Sequence, residues 1–86
     1  MKEYEIIKYP KSTEKAVRLM ESENKLVFYV EKSATKKEIK DAMEKMFKVR
    51  IVAVNTEITP TGKKKAYIKL SSETPAIDIA TQMGML

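Results

Sequence analysis

Lys63-Lys64-Lys65-Ala66-Tyr67-Ile68-Lys69-Leu70 settles into a strict alternation, with Ala66, Ile68 and Leu70 to one side and Lys65, Tyr67 and Lys69 to the other. Successive side chains of an extended strand point to opposite faces, so this stretch predicts a strand with one buried face and one cationic face. Pro60-Thr61-Gly62 before it is turn chemistry, and Val49 to Thr59 before that is long and β-branched. The two segments therefore read as an antiparallel hairpin.

Outward from the hairpin, Thr35-Lys36-Lys37-Glu38 forms a capping box: the Thr oxygen takes one free helix amide and the Glu reaches back to another. Ile39, Ala42, Met43, Met46 and Phe47 follow at spacings of three and four, the apolar stripe of an amphipathic helix. Lys25 to Glu31 predicts a second strand, with Leu26, Phe28 and Val30 on one face and Val27 and Tyr29 on the other. Ser12-Thr13-Glu14 opens an earlier helix with a stripe of Ala16, Val17, Leu19 and Met20, ended by Asn24 as a left-handed terminator. Tyr4 to Tyr9 reads as a short edge strand stopped by Pro10. After the hairpin, Ser71 to Pro75 opens a last helix, lined by Ala76, Ile77, Ala80 and Met83 and closed by Gly84. The order strand, helix, strand, helix, strand, strand, helix predicts an α+β fold: a single antiparallel or mixed sheet of three to four strands with helices packed on one face.

Composition narrows the function before any motif does. A chain of 86 residues makes one small domain, 1–86, with little core to spare for a large cavity. Cys and His are both absent, which removes thiol nucleophiles, disulfides, zinc sites and imidazole bases. The carboxylates mostly alternate with lysine on exposed faces, where they pair along helices, and only Gly62 and Gly84 are glycine, so a phosphate-cradling glycine loop is excluded. No catalytic residue, metal site, cofactor or small-molecule substrate is expected. No apolar run approaches the roughly 20 residues of a membrane span, so the expected compartment is the cytoplasm without membrane insertion.

Seventeen basic residues against 12 acidic ones give a net charge of +5, which points to a polyanion as partner. All the basic residues precede Ser71, and only Glu73 and Asp78 are charged after it. The lysines and arginine of interest fall into three groups. Lys11, Lys15 and Arg18 surround the first helix start. Lys32, Lys36 and Lys37 sit at the second, with Lys40 one turn on. Lys63, Lys64, Lys65 and Lys69 occupy the outgoing strand of the hairpin.

A cation at a helix N-terminus opposes the macrodipole at a cost of roughly a few tenths of a kcal/mol. A phosphate docked there reverses that sign, whereas a merely solvated face gives Lys36 and Lys37 no partner at all. The lysines of the strand have an ordinary reading too, as guards against edge aggregation. Across from them, however, Asn55-Thr56-Glu57 offers short polar groups suited to phosphate, ribose or base-edge contacts. Tyr4, Tyr9, Tyr29 and Tyr67 are either stacking platforms for unpaired bases or half-buried packing residues. Packing is expected for Tyr29, and Tyr67 stays open between the two. The groups together are expected to converge on one basic side that follows RNA phosphates.

Tyr9-Pro10-Lys11-Ser12-Thr13-Glu14-Lys15-Ala16 resembles the opening motif of the L-twenty-three family of large-subunit ribosomal proteins. Asn24 to Val30 resembles its first core strand, Ala34 to Ala42 with Met46-Phe47-Lys48-Val49 its central helix, and Val54-Asn55-Thr56 with Gly62 to Tyr67 its hairpin. The likeness runs through nearly the whole chain in the right order. It implies a structural protein that binds large-subunit rRNA beside the mouth of the polypeptide exit tunnel. It also implies a small ribosomal protein as neighbour at the rim and a part in the docking platform for nascent-chain factors. The rRNA contacts it implies are Lys11, Thr13, Lys15, Lys36, Lys37, Asn55, Thr56, Lys63, Lys64 and Lys65, which Lys40 joins on charge. Glu14 falls at the factor-docking position, with the signal recognition particle as the matching partner. Bacterial members carry a long basic loop between the last two strands; the four residues Thr59-Pro60-Thr61-Gly62 here resemble the archaeal version instead. The alternative function is a non-ribosomal interaction module that docks a partner on an exposed sheet edge or on the last helix.

Overall fold

Four strands, β1 (Ile7–Pro10), β2 (Lys25–Val30), β3 (Ile51–Ile58) and β4 (Lys64–Leu70), form one antiparallel sheet in the order β1-β2-β4-β3 in a computed structural model that describes residues 2–11 and 13–83, Tyr4 by its backbone alone. The β2–β4 register sorts side chains by character. Leu26 faces Ile68 and Phe28 faces Ala66, while Val27 faces Tyr67 and Tyr29 faces Lys65. All of Leu26, Phe28, Ala66, Ile68 and Leu70 are buried, which makes this side of the sheet the core side.

Helices α2 (Glu14–Glu23), α3 (Lys36–Phe47) and α4 (Ala76–Gln82) supply the other half of the core through Met20, through Ile39, Ala42 and Met43, and through Ala76, Ile79 and Ala80. The hairpin, the capping box and the expected element order are all present. Thr35 Oγ1 accepts from the Glu38 amide at 3.1 Å and Glu38 Oε1 accepts from the Thr35 amide at 3.0 Å. The Thr13 oxygen caps α2 by accepting from the Ala16 amide at 3.2 Å, while Ser12, Gly84 and the Tyr4 side chain lie outside the described residues.

Three local expectations are corrected. The first strand does not begin at Tyr4: Glu3–Ile6 is a helical turn, α1, and β1 starts at Ile7. Ile6 and Ile7 are both buried in the main core cluster, and the turn lets both point inward. Glu3 fastens that turn to α3 through Lys45, 2.9 Å away. On α4 it is Ile79 and not Ile77 that is buried; Ile77 is 47% exposed, because the inward line 76, 79, 80, 83 leaves position 77 a quarter-turn aside. Met46 is likewise 39% exposed, at the margin of the α3 stripe.

Asn24 does more than end α2. Its φ of 55° is left-handed, as expected of a terminator. Its Nδ2 donates to the carbonyls of Leu70, Ser71 and Thr74 at 3.1–3.3 Å, and its Oδ1 accepts from the Ala76 amide at 2.6 Å. One amide thus joins the end of α2, the end of β4 and the start of α4. Asn24→Gly keeps the backbone conformation but deletes this net, so it is expected to cost about 2 kcal/mol, four hydrogen bonds of a part-buried amide at about 0.5 kcal/mol each. For a domain of this size that is a fall in Tm of roughly 10 °C. Thermal unfolding followed by circular dichroism checks it, and an unchanged Tm would show the net to be inert.

Candidate nucleic-acid interface

The side of the sheet opposite the core carries the odd-numbered residues of β4. Across the strands it presents Tyr9, Tyr29, Lys65 and Glu57 in one row and Val27, Tyr67 and Asn55 in the next. Lys25, Lys69 and Ala53 form the third. The tyrosine rings of Tyr9 and Tyr29 lie 4.8 Å apart between centroids. Lys63 Nζ sits 5.7 Å from the Tyr9 centroid and 5.4 Å from that of Tyr29, and it donates to the Tyr9 hydroxyl at 3.0 Å. Lys11 Nζ stands 5.6 Å from the Tyr29 ring, and Lys65 Nζ 5.6 Å from that of Tyr67. Tyr29 and Tyr67 therefore act as seats for ammonium groups by cation–π attraction, while Lys63 meets Tyr9 through the tyrosine hydroxyl; Lys63 stays exposed, and the Lys65 side chain is 14% exposed.

These seats also fix the protonation state. The hydroxyl of Tyr9 beside it holds the Lys63 ammonium above the ordinary lysine range, and Tyr67, then Glu57, does the same for Lys65. The Lys65–Glu57 pair, at 3.5 Å, is the one carboxylate contact given to these lysines among the described residues. Beside them, Lys11, Lys15 and Lys65 ring a hollow of about 250 Å³ between the start of α2 and the sheet. At the end of the sheet, Lys8, Lys32, Lys63 and Lys64 line a second one, of about 300 Å³, against Tyr9, Tyr29 and Val30.

The expected site residues divide into two sets. Lys11, Thr13, Lys15, Asn55, Lys63 and Lys65 share the side of the sheet opposite the main core, part of which α2 covers. Thr13 spends its hydroxyl on the α2 cap. Lys36, Lys37 and Lys40 lie on α3, whose buried stripe packs on the core side, so they do not join that surface. Lys37 is paired with Asp41 at 3.0 Å, one turn on. Thr56 and Lys64 also fall on the core side, as alternation with Asn55 and Lys65 requires. Lys64 Nζ donates to the Ala34 carbonyl at 2.7 Å and to that of Lys32 at 3.4 Å, bracing the loop that leads into α3.

The start of α3 is not an empty anion slot. Glu38 already accepts from the Thr35 amide, and this bond holds its carboxyl below the usual carboxylate range. Glu14 is exposed in the first turn of α2, 3.8 Å from Arg18. Lys32 and Lys69 belong to the lysine groups of the sequence but were outside the expected contacts; Lys69 shares the open side by the same odd-number rule that places Lys65. Tyr9 and Tyr29, expected to stack or pack, are cation seats, a role only the cross-strand register reveals.

Against known proteins, the family model for ribosomal protein L23 matches residues 5–79. The chain is 48% identical over 85 residues to a protein named large ribosomal subunit protein uL23 from Methanococcus vannielii, covering 99% of both chains. It is also 48% identical to the protein of that name from Methanococcus aeolicus and 47% to that from Methanococcus maripaludis, with the same coverage. A family match through every strand and into the last helix, and this identity over 99% of both chains, leave one conclusion: the chain belongs to the ribosomal protein L23 family, a non-catalytic structural constituent of the large ribosomal subunit.

Proposed function

We propose that the chain binds large-subunit rRNA with the side of its sheet opposite the main core. The observation that carries this reading is the set of ammonium groups seated on tyrosine rings there, with a single carboxylate among them. Lysines held at a surface in fixed positions replace the counterions condensed on RNA phosphates, and the release of those ions drives binding. Asn55, beside Tyr67, supplies the neutral donor and acceptor that help set register. Family membership supports the wider reading: a site beside the mouth of the exit tunnel, a small ribosomal protein as neighbour at the rim, and Glu14 exposed for a nascent-chain factor such as the signal recognition particle. Lys36, Lys37 and Lys40, on α3, stand outside this contact in the reading.

A protein-docking role draws on β3, an edge strand with Val52 59% and Ile58 54% exposed. The two readings part on salt. If Lys11, Lys15, Lys32, Lys63, Lys65 and Lys69 each neutralise one phosphate, the log–log slope of affinity for an rRNA fragment against salt is about −5. Lys11→Gln/Lys63→Gln is expected to flatten it by about 2, whereas a slope near zero for the unaltered protein would refute the RNA reading.

Lys64 gives an internal control. Lys64→Met is expected to leave the slope unchanged and to lower the Tm, because its ammonium braces a loop and does not face the RNA. A slope reduced as much as by Lys63→Met would put Lys64 on the RNA. Affinity is further expected to stay flat from about pH 6 to 9. There is no His, and the two seated lysines are held above the ordinary 10.5, so they stay charged throughout. A midpoint inside that window, found by repeating the titration at several pH values, would contradict the charge model.

A further inference from the structure

One part of the open side differs from the rest. Val27 is 3% exposed although it faces away from the core, and no part of the main core cluster includes it. It forms the floor of the 250 Å³ hollow with Leu19 and Tyr67, and Lys11, Lys15 and Lys65 stand at the rim. Among the described residues no carboxylate lines this hollow. Its volume is below the roughly 300–1,000 Å³ of pockets for drug-sized ligands, so it suits a single ring system. Apolar walls under a cationic rim fit a guest that is flat and apolar in the middle and anionic at its ends.

A nucleotide has that form, its base carried between two phosphates. The other rings of this side, Tyr9 and Tyr29, already hold Lys63, so a base stacked there would displace the charge that meets the backbone. In the hollow Lys65 stands by Tyr67, but Leu19 and Val27 are apolar walls that hold no ammonium group, so a base lies against them with Lys65 kept at the rim. We propose that it receives one unstacked nucleotide of the bound RNA, the base against Leu19, Val27 and Tyr67 and the flanking phosphates on Lys11, Lys15 and Lys65. This rests on the RNA-binding reading and adds a preference to it: an otherwise paired RNA with one bulged nucleotide over a fully paired one.

The test uses the full chain and two RNA hairpins of equal stem length, one fully paired and one with a single bulged 2-aminopurine. The bulged stem is expected to bind at least tenfold more tightly, with a change in 2-aminopurine fluorescence on binding. Leu19→Trp, which fills the hollow from the side of α2, is expected to abolish the preference and leave affinity for the paired stem within twofold. Equal affinity for both stems with unchanged fluorescence overturns the proposal while leaving RNA binding standing. Failure to bind either stem overturns both readings. If a Glu-Phe-Glu peptide displaces the bulged stem at lower concentration than adenosine monophosphate does, the hollow is a protein-docking site and the proposal also falls. The fluorescence arm needs only unaltered protein, so it decides even if the Trp variant does not fold.

Discussion

The two-residue period of β4 is the constraint on which the rest of this molecule depends. β4 is paired on both sides, so its alternation fixes two whole surfaces of the sheet at once. Ala66, Ile68 and Leu70 gather α3, α4 and Met20 of α2 on one side, while α2 also reaches Val27 on the other through Leu19. Lys65, Tyr67 and Lys69 fall on the other. A register slip of one residue would bury the lysines and expose the core, so charge placement and folding are enforced together.

Beyond the patch where α2 covers Val27, the open side still has to shield its strands from water and keep like charges tolerable. The Tyr9–Tyr29 pair and the stems of the lysines supply the apolar cover, and the ring faces offset part of the repulsion between ammonium groups. This arrangement leaves the charge outward, ready for an anion, without a deep pocket. The α3 start works in the opposite way. Its capping box uses the Glu38 carboxylate where an external phosphate would otherwise sit, which makes the helix end self-sufficient. Lysines alike in sequence therefore serve different ends: Lys63 faces outward, and Lys64, its neighbour, is spent on two backbone carbonyls.

Much of this was legible in the residues because it depends on local periodicity. The alternation from Ala66 to Leu70, the Thr35–Glu38 box and the β2 pattern each carry their own structural consequence. What was not legible depends on contacts distant in sequence. The burial of both Ile6 and Ile7 requires α3 nearby, with Lys45 to hold the turn. Asn24 reads as a helix stop, yet its partners lie 46 to 52 residues away. The expected single convergence of lysines failed for the same reason: proximity in sequence to a helix start says nothing about which side of the sheet that helix covers. Of the expected contacts, the odd-numbered hairpin residues and those at the start of α2 come together, and the α3 group stands apart.

The most direct test of two-sidedness is lysine reactivity in assembled large subunits, read residue by residue as acetylation by mass spectrometry and compared with the isolated protein. Strong protection of Lys11, Lys63 and Lys69 on assembly, well beyond any at Lys37 and Lys40, is the predicted result. Full reactivity of the first three in the subunit, with protection confined to α3, would contradict the assignment of the side opposite the core to RNA.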